Sequence, residues 1–494
     1  MHNDLVRIAK SSSIVFVGRI VGLFLGLVLN LFAARYLGAE AYGRFMLVYT
    51  IVSFISIFMK LGLDQGIIAF IPKEKDQKKS NSIIIFAFGA SLLISTIMTL
   101  LLLGFSKIIA VELLNDAEIF SILIYMSPFI ILLSLIDLFR GVYRSKSDIT
   151  NFVLMQNYFI PSFKILIFIC LYFLGYTING LIVAFYISTL LAIGYFINSI
   201  LKNIKIRYIF TKENVSNFKE VLKFSAPLIL IGGMNFVITK SDVLMIGYYL
   251  NSQDVGVYSI AVKIGTLSSF ILVAFNTMFA PVITRLYSNK EIKEIKGLYT
   301  TITKWSLLGN LIIFSIIISF SQEIMILFGD EFLIGSTALI LVAIGQLVNS
   351  AVGPASYINT MTGKPLFELY ISIVTACLNI LLNVTLIPIY GIEGAAIASL
   401  LAIALSNLIK LILVYGRLKI HPYNVEYIKV ILAFVISTCL VIALKNSFHE
   451  VAILQLIMLL SIYFVSFILI YGINGISSED KMILSSLLKK IKRK

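Results

Sequence analysis

The chain reads as long apolar runs separated by short polar breaks. Residues 83–103, 371–389 and 451–471 contain no aspartate, glutamate, lysine or arginine. Each is close to the roughly 20 residues that an α-helix, rising about 1.5 Å per residue, needs to cross a bilayer core of about 30 Å. Shorter runs at 225–238 and 305–320 continue the pattern. Strict polar–apolar alternation over about ten residues, the mark of a membrane barrel, does not appear. About fourteen spans are predicted, near 14–36, 42–63, 82–104, 119–139, 152–174, 178–200, 223–248, 255–279, 300–320, 335–359, 366–388, 392–414, 427–445 and 450–472. The expected fold is an all-α polytopic membrane protein.

Composition agrees. Of 494 residues, 59% are hydrophobic and 13% charged, against about half and a quarter in a soluble domain. The net charge of +15 would suggest nucleic acid in a soluble chain. Here the positive residues sit in breaks between spans, so no nucleic-acid partner is expected. Segments that fall on the amino-terminal side of the expected membrane hold thirty lysines and arginines, and the opposite loops hold only Lys107 and Lys445. By the positive-inside rule both termini are expected in the cytoplasm, making this a multi-pass protein of the cell membrane. The first residues, MHNDLVRIAKSSS, read as an amphipathic lead-in and not as a cleaved signal.

Two short phrases recur. YLGAEAYGRF at 36–45 returns as YLNSQDVGVY at 249–258, an offset of 213, and YTINGLIVA at 176–184 returns as YGIEGAAIA at 390–398, an offset of 214. Both echoes keep their place among the spans, which points to a duplicated six-span unit. An even number of spans gives copies of the same orientation, related by an axis along the membrane normal. The expected organisation is a lobe at 1–200, a cytoplasmic linker at 201–222, a second lobe at 223–414, and two extra helices with a basic tail at 415–494.

No loop is long enough for a soluble catalytic domain, the longest being near 201–222. His2, His421 and His449 lie in breaks, and Cys170, Cys377 and Cys439 lie in apolar runs. No metal site, cofactor or enzymatic activity is expected. The acidic outer loop with Glu112, Asp116 and Glu118 reads as solvated.

Ionisable residues inside a bilayer are costly and face a cavity or one another. Lys60, Asp64, Asp137, Glu368, Lys410, Arg35, Arg44 and Glu393 fall near span ends and read as structural or snorkelling. Deeper lie Arg19, beside Gly18, Gly22 and Gly26 and on one face with Asn30; Lys164, sharing a face with Asn157 and Pro161; Lys240, near Asn235 and Asp242; and Lys263, on a stripe with Ser259 and Thr266. Span 10 adds Gln346 and Asn349 before a Gly353–Pro354 break. The expected cavity residues are therefore Arg19, Asn30, Lys164, Asn235, Lys240, Asp242, Lys263, Gln346 and Asn349. Four cations against one carboxylate suit an anionic headgroup.

ARYLGAEAYGRF after the first span and SDVLMIGYYLNSQDVGVYSIA across spans 7 and 8 resemble the oligosaccharide flippases of the polysaccharide transporter family. That family belongs to the superfamily that also contains multidrug extruders and lipid II flippases. The resemblance implies transfer of a polyprenyl-phosphate- or pyrophosphate-linked oligosaccharide from the cytoplasmic to the outer leaflet, by alternating access. Its implied partners are that glycolipid, the bilayer and surface-polysaccharide assembly proteins. The alternative is an ion-coupled drug antiporter, which would want buried carboxylates; span 1 carries none.

Overall fold

The computed structural model describes residues 2–74, 76–146, 148–201, 212–445, 447 and 453–473, and among them all regular structure is helical. The expected linker lies partly outside the described residues, and the basic tail beyond 473 lies wholly outside them. Among the described residues ten helices are long and apolar enough to cross a membrane, or eleven if Ala117–Met126 and Phe129–Ser145, bent by 44°, form one span. The chain is a polytopic helical membrane protein, as its apolar runs predict.

Ten falls short of the expected fourteen partly because two helices are of double length. Val17–Met59 has 43 residues and Leu366–Leu418 has 53. At about 1.5 Å per residue, each is at least twice as long as a bilayer core is thick. Both are kinked at a glycine: Gly38 has φ 78° and Gly391 φ 59°. Backbone of positive φ favours glycine, which lacks the Cβ that would clash. Both glycines lie within the recurring phrases.

Contacts divide the chain into two compact units. The first comprises Met1–Lys263, Met325–Gly335 and Ser372–Ala398. Within it, Gly18 and Gly22 let the first helix approach Val153 and Asn157, whereas a Cβ on Gly26 would meet open space. The kinked helix ends in a network of ion pairs. Lys60 Nζ lies 3.1 Å from Asp64 and 3.1 Å from Asp137, and Arg140 lies 2.8 Å from Asp137.

Beyond Gly38 the same helix crosses Ser252–Gly265. A Cβ on Gly43 would overlap the Ser252 carbonyl oxygen, and one on Gly256 would overlap the Ala39 carbonyl oxygen. Only glycine permits that approach. Arg44 pairs with Glu40 at 2.6 Å, with Asp116 at 2.8 Å, and with Glu118. The acidic loop expected to be solvated is thus engaged by a guanidinium. Asp116 also accepts from the Glu118 amide, 3.1 Å, capping the helix that starts at Ala117.

The second unit comprises Ile264–Ile324, Ser336–Ile371 and Ser399–Lys494. One of its cores gathers Phe279, Ile283, Tyr299, Ile358 and Val414. The helix Ser336–Val352 stops at Gly353, φ 70°, as the Gly–Pro step predicts. Lys304, only 2% exposed, is satisfied by Glu426 at 2.7 Å. Lys410 lies 3.9 Å from Glu368, and Lys445 lies 2.7 Å from Glu323.

Candidate functional site

Inside the first unit is a cavity of about 220 Å³ lined by Asn30, Tyr42, Lys164, Lys240 and Lys263, with aliphatic and aromatic side chains around them. Among the described residues its wall carries three lysines and no carboxylate.

The kink at Gly38 builds one side of the cavity. Asn30 lies before the kink and Tyr42 after it, and the change of direction lets them meet. The Asn30 side-chain amide donates to the Gly26 carbonyl, 2.5 Å, which turns its Oδ1 toward the cavity. That oxygen accepts from the Tyr42 hydroxyl, 2.8 Å, and from Lys263 Nζ. Lys263 also donates to the Tyr42 oxygen, 2.8 Å. The ammonium is held by neutral acceptors, which orient it without cancelling its charge.

Lys164 is held differently. Its Nζ lies 3.6 Å from the centre of the Phe185 ring, well inside the range in which a ring face attracts a cation. Phe185 packs edge-on against Phe45 and Tyr49. Tyr42, Met46, Tyr49, Thr50 and Ser53 line the cavity from one face of the helix beyond Gly38.

Of the nine expected cavity residues, four line this space: Asn30, Lys164, Lys240 and Lys263. Arg19 does not join them. It lines a second pocket of the same unit, with Lys60, Asp64, Asp137, Arg140 and Arg144. Asp242 is 4% exposed and accepts from the Tyr258 hydroxyl at 2.6 Å, so it serves the packing of two helices. Asn235 is exposed and absent from the cavity wall. Gln346 and Asn349 belong to the second unit, where the Gln346 carbonyl accepts from Asn310, 3.0 Å, and the Asn349 carbonyl from the Gly353 amide, 3.1 Å. Helical spacing put polar residues on shared faces but could not tell which face met a cavity. The Tyr42–Tyr49–Thr50–Ser53 stripe was present in the sequence at helical spacing; its neutral groups in an apolar span gave no charge to notice. Among the described residues no cluster of histidine, cysteine and carboxylate suited to a metal occurs.

Residues 8–287 match the family model described as polysaccharide biosynthesis protein, and residues 227–385 match the MatE model. A Haloferax volcanii protein named a probable low-salt glycan biosynthesis flippase, Agl15, is 29% identical over 202 residues. That match covers 40% of this chain and 42% of the relative, so less than half of the relative's length is spanned. The Methanocaldococcus jannaschii membrane protein MJ1068, uncharacterised, is 25% identical over 91% of this chain and 92% of its own length. Among solved structures, the lipid II flippase MurJ in an inward closed conformation superposes with a TM-score of 0.74 at 18% identity, over 97% of this chain and all of that one. The last likeness is one of fold.

Proposed function

The chain belongs to the polysaccharide biosynthesis protein family, and from that premise we propose that it flips a polyprenyl-phosphate- or pyrophosphate-linked oligosaccharide across the cell membrane by alternating access. The observation that carries this reading is the cavity wall with three lysines and no acid. Each lysine at a span's centre raises the cost of insertion by about 2.5–3.5 kcal/mol on insertion scales. An anionic headgroup recovers part of that cost, because fixed ammonium groups replace the water the phosphate leaves behind. The phosphate would displace the neutral acceptors Asn30 and Tyr42 from Lys263. Phe185, Tyr49, Thr50 and Ser53 would offer ring faces and hydroxyls to a sugar.

In this reading residues 36–45 and 249–258 mark two copies of a six-span unit, and the ends that carry Lys60, Arg140 and the basic breaks face the cytoplasm. The lipid tail stays in the bilayer. The flippase named among the relatives supports the glycan class.

A second reading, a drug antiporter, draws on the match to the MatE model over 227–385. A cationic drug would meet only like charge in this cavity, so the anionic substrate is preferred. The test is to purify the full chain in lipid nanodiscs and analyse the extracted lipids by mass spectrometry. A polyprenyl-linked phosphoglycan, depleted in the Lys263→Met protein, is the expected result. Stable binding of cationic drugs with no phosphoglycolipid would overturn the proposal.

A further inference from the structure

At the end of the first unit where Gly38 kinks the chain, an acid from a distant turn twice accepts from the residue that opens a helix. The backbone amide of Ala39 donates to Glu331 Oε2, 2.7 Å. The hydroxyl of Ser252 donates to Asp116 Oδ2, also 2.7 Å. Ala39 and Ser252 occupy the same place in the two recurring phrases, 213 positions apart. Each opens a helix that enters the cavity region, and each is held by an acidic residue from a turn far away in the chain. Those turns also correspond: Asn115 has φ 52° and Gly329 φ 133°, each just before the acidic pair it presents.

The crossing between the two helices has the same symmetry. Gly43 abuts Ser252 and Gly256, while Gly256 abuts Ala39 and Gly43. A contact in which residue i meets j and its equivalent meets i's equivalent is what a two-fold axis produces. Arg35 adds a bond to the Leu327 carbonyl, 3.0 Å, and Arg44 donates to the same Asp116 oxygen as Ser252.

We propose that the acidic turns at 115–118 and 329–331 form a paired latch that closes the cavity at this end, and that the latch must open for substrate to leave. The helices it fastens are those that carry Tyr42 and Lys263 into the cavity, and these two side chains are bonded to each other. Separating the helices at the latch therefore separates the cavity lysine from its partner. An anion that draws Lys263 off Tyr42 acts on the same joint from below. Partial burial pushes the Asp116 carboxyl up, but Arg44 and Ser252 outweigh it and hold it below the usual carboxylate range. Asp116 is thus charged throughout the neutral range.

This inference rests on reading the chain as a transporter but not on the identity of its cargo. The test uses full-length protein with Cys170, Cys377 and Cys439 replaced by serine and a reporter, Ser53→Cys, in the cavity wall. A membrane-impermeant maleimide is added to intact cells, which on the charge count reaches the latch end. Asp116→Asn keeps the helix cap but loses the charge, and Glu331→Ala removes the other hold. The pair together should raise the labelling rate at least threefold over the parent reporter, at equal membrane levels. Conversely, oxidising an Asp116→Cys/Ser252→Cys pair should cut labelling of the Ser53→Cys thiol, read on its own peptide by mass spectrometry, at least threefold, and reductant should restore it. Failure of glycan transport with these accessibility changes intact would sink the cargo reading and leave the latch. Unchanged labelling in both the weakened and the cross-linked proteins would overturn the latch, whatever the cargo proves to be.

Discussion

Two pockets in the first unit are built from similar residues to opposite effect. The one around Arg19 is the larger, about 470 Å³, and holds four cations with the carboxylates of Asp64 and Asp137 among them. The one around Lys263 is about 220 Å³ and holds three cations with no carboxylate. In the first, Lys60 is bound by Asp64 and Asp137 and Arg140 by Asp137, so two of its four cations already hold acids. In the second, an amide, a phenol and a ring face hold the ammonium groups in place. Number of cations therefore says little about affinity for an anion. What counts is whether an acid already occupies the geometry an incoming phosphate would take.

The largest effect should come from removing the charge that neutral partners hold most tightly. Lys263→Met keeps length and apolar bulk but deletes the ammonium that binds Asn30 and Tyr42. Transport, read as surface glycan in a flippase-deficient strain at matched protein levels, should fall at least tenfold. Wild-type complementation by this variant would remove the basis for a phosphate-binding cavity. The protein should insert normally, since a buried charge has been removed.

The paired pocket should respond in stability before transport. Asp137→Asn leaves Lys60 and Arg140 facing a neutral amide. The loss of two charge-assisted bonds should cost on the order of 2 kcal/mol, measured as a lowered unfolding temperature in detergent. Removing Arg140 as well, in Asp137→Asn/Arg140→Met, should recover part of that loss, because Arg140 loses this carboxylate whereas Lys60 keeps Asp64. If the single variant were as stable as the parent but lost transport, this pocket would be a binding site and the contrast drawn above would fail.

Much of this division is legible in the sequence. Apolar runs and charge spacing gave the helical membrane fold, and helical depth picked out Lys164, Lys240 and Lys263. Lys60, Asp64 and Asp137, read from their places near span ends as structural or snorkelling, pair with one another in the structure. Three things were hidden. A glycine kink such as Gly38 looks in sequence like the break between two spans, so its role in facing Asn30 toward Tyr42 could not be read. Tyr42 and Ser53 carry no charge and looked like ordinary span residues. Asp116 sat in a polar loop, and nothing in its neighbours disclosed that Arg44 and Ser252, 72 and 136 positions away, would close on it.

A smaller effect is expected where a ring replaces an acid as the partner. Phe185→Leu removes the face that Lys164 covers at 3.6 Å while keeping an apolar side chain. Such contacts are worth about 0.5–2 kcal/mol, and two other lysines remain in the wall. Transport should drop about threefold, with the apparent affinity for lipid carrying the change. A loss as large as that of Lys263→Met would mean that Phe185 contacts the cargo directly.

Arg19 should matter least, and it is the sharpest probe of the comparison. In sequence it stood with the lysines: deep in the first span, beside small residues, on a face with Asn30. In the structure it is exposed and lines the pocket that already contains Asp64 and Asp137. An anion arriving there would meet both carboxylates, and the repulsion would offset much of what a guanidinium provides. Arg19→Ala should therefore leave transport within about twofold of the parent. Arg19→Lys should be indistinguishable from it, because no two-pronged phosphate contact is lost. Adding Asp64→Asn and Asp137→Asn to an otherwise intact chain should reverse the logic: with the acids gone, the pocket becomes a second cationic site, and Arg19→Ala should then reduce binding of the anionic lipid. Should Arg19→Ala alone abolish transport at normal stability, the carboxylates do not screen this pocket, and a cation's availability cannot be judged from the acids beside it.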